Sequence, residues 1–519
     1  MLFHVDKEAE NLQVDNIKRF KSVLYGVMIG IAAGLIVSLF RLGIENLSKG
    51  FLLLAKLAKH NLGFLVLLIL INGLIALIGY TLIQKDKNIK GSGIPQVEGL
   101  LNGELTYSWW SVLSKKFVGG ILAISSGLFL GREGPSIQLG ATTAQGLSKL
   151  FKQNSDDEKV LVSGGAAAGL SAAFNAPIAS TLFVLEEIYH NFSTSVWIVS
   201  LSAAVSANFV SSAIFGKVPV LHMQYSHVIP LHIYPYLIGL GIILGLCGMI
   251  YEFATLHIND LYEKLSWVPN IVWITIPFML VIPFEMYLPT IVGGGSTMVL
   301  LIAKVTPTLT ILIWFLIIRF FMSILSYSTG LPGGIFLPML SLGALIGAIY
   351  AQILISYGVL PQIYFVNFII ISMSGFFACV GKAPFTAILL ITEMVGSLQN
   401  LMSLAFVTLV AYEVTDLLGG SPIYNEMLQK MLSPQKLLTS GKLTNLYFSI
   451  QVGSVMDQSA VKDINWPDGC IIRAIKRNEQ YIIPDGDTVL KAGDNIELST
   501  NYDNRGYVYS HVEKLTLDD

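Results

Sequence analysis

Charge is what this 519-residue chain has least of: 13% of its residues are Asp, Glu, Lys or Arg, about half the share in an ordinary soluble chain. The 34 acidic and 32 basic residues nearly cancel, leaving a net charge of −2, so there is no basic field to hold nucleic acid. Cys247, Cys379 and Cys470 lie far apart and in no pair spacing, so neither a disulfide framework nor a zinc pattern can be read from them. H-E-x-x-H, G-x-S-x-G and a Walker loop are all missing, and with them the metalloprotease, hydrolase and P-loop readings. No motif implies a cofactor or a resident metal. Nor does the chain open like a cleaved signal: Asp6, Lys7, Glu8 and Glu10 precede Lys18, Arg19 and Lys21, and only then does an apolar run begin.

Apolar residues make up 53% of the chain, and its mean hydropathy is +0.66. They are unevenly spread: 20 charged residues fall in the last 79 positions, from Gly441, and 46 in the 440 before them. The expectation is a membrane protein with a small soluble tail, divided into an N-terminal segment 1–20, a membrane domain 21–435 and a tail 436–519. Lys18, Arg19 and Lys21 abut the first apolar run, and Lys430, Lys436 and Lys442 follow the last. By the positive-inside rule both termini are expected in the cytoplasm of a multi-pass protein in the cell membrane.

Apolar stretches recur between those ends, beginning with Val23–Phe40, Leu62–Ile83, Phe117–Leu130 and Leu161–Leu185. Few run unbroken for the roughly 20 residues of a simple crossing helix. Several stop at Gly/Pro clusters: Gly91–Pro95, Gly131–Pro135, Gly293–Gly295 and Gly330–Pro338. Backbone broken at membrane depth has no water to pair with, so it must be buried in protein or face a polar cavity. Interrupted spans in this number point to a transporter or channel; the plainer alternative is ordinary helices joined by short Gly/Pro turns. An internal repeat sharpens the first reading. Gly131–Pro135 returns as Gly334–Pro338, 203 positions on, while Ala176-Pro177 and Glu186 return as Ala383-Pro384 and Glu393, 207 positions on. Two related halves are expected, parallel or inverted, with a binding site at the midplane. The tail shows β-rich runs at Cys470–Ile475, Tyr481–Ile483, Thr488–Leu490 and Asn495–Leu498, with turn signals at Asp468-Gly469 and Asp485-Gly486, which predicts a compact α/β or β module.

A small anion inside a bilayer is poorly served by Lys or Arg, which are costly to bury and hold an ion too tightly for turnover. Helix N-termini offer free N–H groups and partial positive charge instead. Glycine lets the backbone approach closely, and proline starts a helix without losing a needed donor. The clusters at Gly91–Pro95, Gly131–Pro135 and Gly334–Pro338 have that chemistry, and Ser92 adds a hydroxyl. Glu133 lies inside one of them; ionised, it can occupy the amide nest of an anion, and protonated it can vacate it. The competing reading is an Arg132–Glu133 surface pair at a helix end. Glu186 and Glu187 follow the uncharged Leu161–Leu185 and are proton-relay candidates, although one of the two is expected merely to mark a solvated helix end. Glu393 reads as structural. Tyr424 could offer a phenol to an anion or serve as an interfacial anchor. Glu187-Ile188-Tyr189-His190 has the E-x-x-H spacing of di-iron bundles, but the chain holds no second copy, so an enzyme is not expected and His190 reads as a helix-end or interfacial histidine.

Together, Gly91-Ser92-Gly93-Ile94-Pro95, Gly131-Arg132-Glu133-Gly134-Pro135 and Gly333-Gly334-Ile335-Phe336-Leu337-Pro338 resemble the three signature loops of the CLC chloride channel and transporter family. Residues Gly164–Glu187, with Phe174-Asn175-Ala176-Pro177 inside, resemble it too, and the likeness runs over about residues 20–430. It implies an all-α polytopic homodimer in the bilayer, an inverted repeat with broken helices and one anion pathway per subunit. Carried across, Ser92 and Tyr424 touch a central chloride, with Gly93 and Ile94 in the same loop. The amides of Ile335 and Phe336 contribute donors, and those of Arg132, Glu133 and Gly134 line an outer site. Glu133 matches the family's external gating glutamate and Glu187 the internal proton-transfer glutamate of its exchangers. That acid favours chloride/proton antiport over the alternative, a passive voltage- or pH-gated chloride channel. Ser92, where nitrate-preferring plant members tend to carry proline, favours chloride, and fluoride exporters depart from the G-R-E-G-P loop kept here. The tail is similar to RCK-C or TrkA-C lobes through Pro467-Asp468-Gly469, Ile471–Ile475, Arg477, Pro484–Thr488 and Gly493-Asp494, making it a small cytosolic α/β domain. Such lobes commonly dimerise and bind small ligands, cyclic di-AMP among them. A dimer-stabilising cap without a ligand, or a sensor whose tail function dominates, are the other readings.

Overall fold

The structure, a computed structural model, describes residues 2–190, 192–223, 227–264, 267–432, 443–477, 480–501 and 504–516, residues 2–18 as backbone only. Two compact units emerge, residues 1–101 with 107–426 and residues 102–106 with 427–519. The expected boundary at 435/436, with Lys436 and Lys442 beside it, lies outside the described residues.

The larger unit is helical. Among the described residues eight helices are long and apolar enough to cross a membrane, from Arg19–Ala58 and Leu62–Lys85 to Phe336–Ser356 and Gln362–Gly381. More stretches are full length than the apolar runs suggested. The run Ile311–Ile318 is only part of the helix Leu309–Ser328, because Arg319, Ser323 and Ser326 are polar but face inward and are buried. In the other direction, Phe117–Leu130 is cut: its helix stops at Ser125 and irregular backbone leads to Gly131. Leu161–Leu185 is cut as well, into Ser155–Phe174 and Pro177–Phe183. Asn175 takes a left-handed conformation (φ 57°) that ends the first piece, and Pro177 starts the second.

The same break recurs at Lys382 (φ 56°) and Pro384, 207 positions later. The two halves also pack alike. A Cβ on Gly169 would meet the carbonyl oxygen of Ser136, and one on Gly343 would come within 2.6 Å of that of Ser372. Glycine therefore lets Glu133–Leu150 lie backbone to backbone on Ser155–Phe174, and Phe336–Ser356 on Phe365–Gly381. Between the halves, Gly131 N–H donates to Gly334 O at 2.7 Å and Gly334 N–H to Gly131 O at 2.8 Å. Equivalent residues exchanging both bonds are related by a local two-fold axis.

The smaller unit holds an antiparallel sheet in the order Leu443–Ser449, Asn495–Asn501, Cys470–Arg477, Gln480–Ile482. The helix Arg505–Thr516 covers it through Val508 and Val512, in a core with Phe448, Ile475, Ile496 and Leu498. Thr488–Leu490 is not a strand: Val489 makes a single bridge to Ala460. The first strand was unanticipated, although Leu446 and Phe448 bury alternate positions along it. Arg477 grips Asp494 with Nε–Oδ1 at 2.7 Å and Nη2–Oδ2 at 2.6 Å, and donates to Val489 O.

Candidate functional site

Three Gly/Pro clusters distant in sequence meet inside the helical unit. Ser92 packs on Gly134, where an added Cβ would come within 2.7 Å of the serine Cβ. Gly334 faces Gly134, its own added Cβ falling 3.2 Å from the Gly134 nitrogen. Helices Ile94–Leu101, Glu133–Leu150 and Phe336–Ser356 begin at these clusters. At Arg132 and Ile335, the N-cap positions of the second and third, no side chain caps the helix. The first-turn amides are thus left for something else, and Pro135 and Pro338 at the third helical position remove donors the helix would not have used.

Glu133 is buried, and its carboxylate lies in electrostatic reach of its own amide and that of Leu337, while Oε2 has no hydrogen-bond partner among the described residues. An acid is therefore lodged at paired helix N-termini, as an anion would be. The surface-pair reading fails: Arg132 Nη1 binds Glu45 Oε1 at 3.1 Å, and Arg41 Nε binds the same oxygen at 2.8 Å. The tie from Glu45 to Arg132 left no trace in the sequence, because the two are 87 residues apart.

Ser92 is buried and its hydroxyl accepts the Ile94 N–H at 3.3 Å. The ring of Tyr327 lies along Gly91. Gly93 takes φ 92° with Gln138 packed where a side chain would stand. Below this loop sits Lys116, fully buried, donating to Ile89 O at 3.0 Å and Gly91 O at 2.8 Å. Gly91 is further tied by its N–H to Gly330 O and by its carbonyl to Gly333 N–H. Sequence reading missed Lys116, whose surroundings look like those of any basic residue near a helix start.

Phe336 is buried and ringed by Phe174, Phe183 and Phe377, with centroids 5.3, 5.7 and 4.4 Å away. Ile335, just before it, is buried too. Tyr424 is fully buried rather than interfacial, at the start of Ile423–Leu432, in electrostatic reach of Glu133, Glu187 and Tyr327. Its hydroxyl has no hydrogen-bond partner among the described residues.

Glu186 and Glu187 part company on a π-helical turn, Val184–Ile188, closed by Tyr189 N–H to Val184 O at 2.8 Å. Such turns shift side-chain register and gather at functional sites. Glu187 is buried in reach of the charge on Glu98. Glu186 is not merely solvated, for it accepts from Phe385 N at 3.1 Å, Thr386 N at 2.7 Å and Thr386 Oγ1 at 2.7 Å. Glu393, its repeat mate, accepts from Ile178 N at 3.2 Å and Ala179 N at 2.8 Å. Each half thus caps the broken helix of the other. His190 turns its Nε2 toward Glu98.

Residues 73–416 match the family described as voltage gated chloride channel, and residues 446–504 match the TrkA-C domain. Over 456 residues the chain is 33% identical to the H(+)/Cl(-) exchange transporter ClcA of Vibrio cholerae, covering 84% of this chain and 95% of that one. With the protein of the same name from Klebsiella pneumoniae it shares 31% over 427 residues, covering 80% and 90%. Among solved structures, a slow cyanobacterial Cl−/H+ antiporter superposes with a TM-score of 0.75 at 28% identity, covering 80% of this chain and 98% of that one. A CLC-type fluoride/proton antiporter gives 0.64 at 23%, covering 77% and 96%, a likeness of fold alone.

Proposed function

The chain belongs to the voltage-gated chloride channel (CLC) family, and on that premise we propose that it exchanges chloride for protons across the cell membrane. The observation that carries the reading is the Glu133 carboxylate lodged among first-turn amides where three helix-start clusters meet. Chloride binds those dipoles without a cation beside it, tightly enough to enter and weakly enough to leave. Ser92, Gly93, Ile94 and Tyr424 surround the central ion with amides and hydroxyls, Ile335 and Phe336 add amides from the other half, and Arg132, Glu133 and Gly134 line the outer position. Glu133 competes with chloride while ionised; protonated, it loses its hold on the amides and swings clear carrying the proton. Glu187, buried and apart from the capped Glu186, relays that proton to the cytoplasm. Two relatives bearing the name of H+/Cl− exchangers support the coupling.

In this reading the protein is a homodimer whose N-terminal segment 1–20 and tail 436–519 both lie in the cytoplasm, flanking the membrane domain 21–435. A small ligand at the TrkA-C-like tail, with cyclic di-AMP the first to try, tunes transport. The deciding experiment is proton flux into liposomes holding the protein, driven by a chloride gradient near zero voltage. Uphill proton movement is expected; chloride flux without it makes the protein a passive channel. Cyclic di-AMP that neither binds the full chain by titration calorimetry nor alters its flux removes that ligand.

A further inference from the structure

The turn bearing Glu187 ends on a side chain that the scheme above leaves unused. His190 follows with φ 49°. Its Nδ1 lies 3.0 Å from the carbonyl oxygen of Glu186; a carbonyl only accepts, so Nδ1 carries a proton and Nε2 is the nitrogen that gains and loses one. Nε2 stands 3.6 Å from Oε1 of Glu98. Access falls steeply across that gap, from 37% exposure of the histidine side chain to 3% for the glutamate. Glu98 rides on Ile94–Leu101, the helix that starts at the Ser92 loop, and the π-helical turn of Glu187 packs against this helix. Its Oε2 has no hydrogen-bond partner among the described residues. Imidazole, Glu98 and Glu187 therefore form a series from a part-exposed ring to two buried carboxylates in electrostatic reach of each other.

We propose that His190 loads protons onto this path. Solvent protonates Nε2; the Nε2–H bond then breaks as an O–H bond forms on the Glu98 carboxylate, through closure of the 3.6 Å gap or one bridging water. The neutral ring takes its next proton at the same nitrogen, and Glu98 hands the first to Glu187. No electron moves. The inference rests on the exchanger reading, in which Glu187 is the inner end of the proton path. Among the described residues, the ionisable groups on and against this turn include Glu98 on the packed helix, Glu186, Glu187 and Tyr189 on the turn itself, and Asp156, whose charge reaches Tyr189 from the first turn of Ser155–Phe174. Of these, Glu186 is already held by the Phe385 and Thr386 amides. Glu98 is thus the acceptor that Nε2 faces.

His190→Asn suits the test, because Asn tolerates a positive φ and its amide can still donate to the Glu186 carbonyl but cannot carry an exchangeable proton. In liposomes holding the full-length protein, with proton and chloride fluxes read separately from pH 5.5 to 8, the proton flux of the variant is expected to fall roughly tenfold at the alkaline end of that range, while chloride flux holds. At the acid end solvent protons reach Glu98 directly and the difference narrows. His190→Gly, which also keeps the backbone, is expected to regain proton flux when free imidazole is added. Wild-type proton flux in His190→Asn at every pH overturns the proposal. So does a parallel loss of both fluxes with no rescue by imidazole. Failure of the exchanger reading would show separately, as uncoupled chloride flux in the unaltered protein.

Discussion

Lys116 has no carboxylate bound to it among the described residues, and both its hydrogen bonds go to carbonyls that set the shape of the Ser92 loop. Replacing it with Met keeps the stem and strands the Ile89 carbonyl, while the Gly91 carbonyl keeps the Gly333 N–H. Leaving a buried acceptor unpaired costs about 1–3 kcal/mol, so Lys116→Met is expected to lower the melting temperature of the purified protein and weaken chloride binding by calorimetry. An unaltered chloride affinity would show that the loop holds its shape without the lysine. Glu133 is tested differently: Glu133→Gln preserves size but cannot release a proton, so coupled proton flux should vanish while chloride still moves. Proton coupling that survives the change removes Glu133 from the proton path. Glu133 was legible as a residue, because an acid inside a Gly/Pro cluster within an apolar run is conspicuous. Lys116, Glu45 and Glu98 were not, since each acquires its role from a neighbour brought close only by folding.

Among the elements, the helices Pro177–Phe183 and Pro384–Val395 are each capped by a glutamate of the opposite half. Losing a cap costs about 0.5–2 kcal/mol. Glu186→Ala and Glu393→Ala are each expected to destabilise the protein by that order, read as a lower melting temperature, while the chloride-to-proton ratio stays at its wild-type value. A changed ratio in Glu186→Ala would mean the capping carboxylate also handles protons. The repeat at 207 positions disclosed the Ala-Pro and Glu pairs, but not that they cross, because a capping partner some 200 residues away leaves no local mark. The π-helical turn was equally hidden; Val184–Ile188 differs from α-helix only by one residue of hydrogen-bond register.

At the scale of the molecule, uneven charge along the chain foretold a membrane part and a tail, and burial of polar residues such as Arg319 explains why apolar run length understated the crossing helices. The tail unit carries its own pH response. Asp457 accepts N–H bonds from Ala492 at 2.9 Å and Gly453 at 3.2 Å, which hold its carboxyl below the usual range, as the Thr488 hydroxyl does for Asp485. Stability from such groups is present above the unfolded value of about 3.9 and is lost as pH falls through the lower folded value. Limited proteolysis of the full chain at pH 2.5 and pH 7 should therefore cut the tail faster in acid, and Asp457→Asn should narrow that difference; equal cutting at both pH values would discount these carboxylates. The paired Gly131 and Gly334 carry a different kind of information, for a residue on a two-fold axis is its own neighbour. The room beside each is taken by the other half's helix start or by the acid: a Cβ on Gly131 would meet Glu133 Oε2 and the Cβ of Leu337, and one on Gly334 the backbone of Gly134. Hydrogen at both positions is what lets the two helix starts close on each other across the axis. The halves, expressed as separate chains divided after Phe215, should still find each other and co-purify.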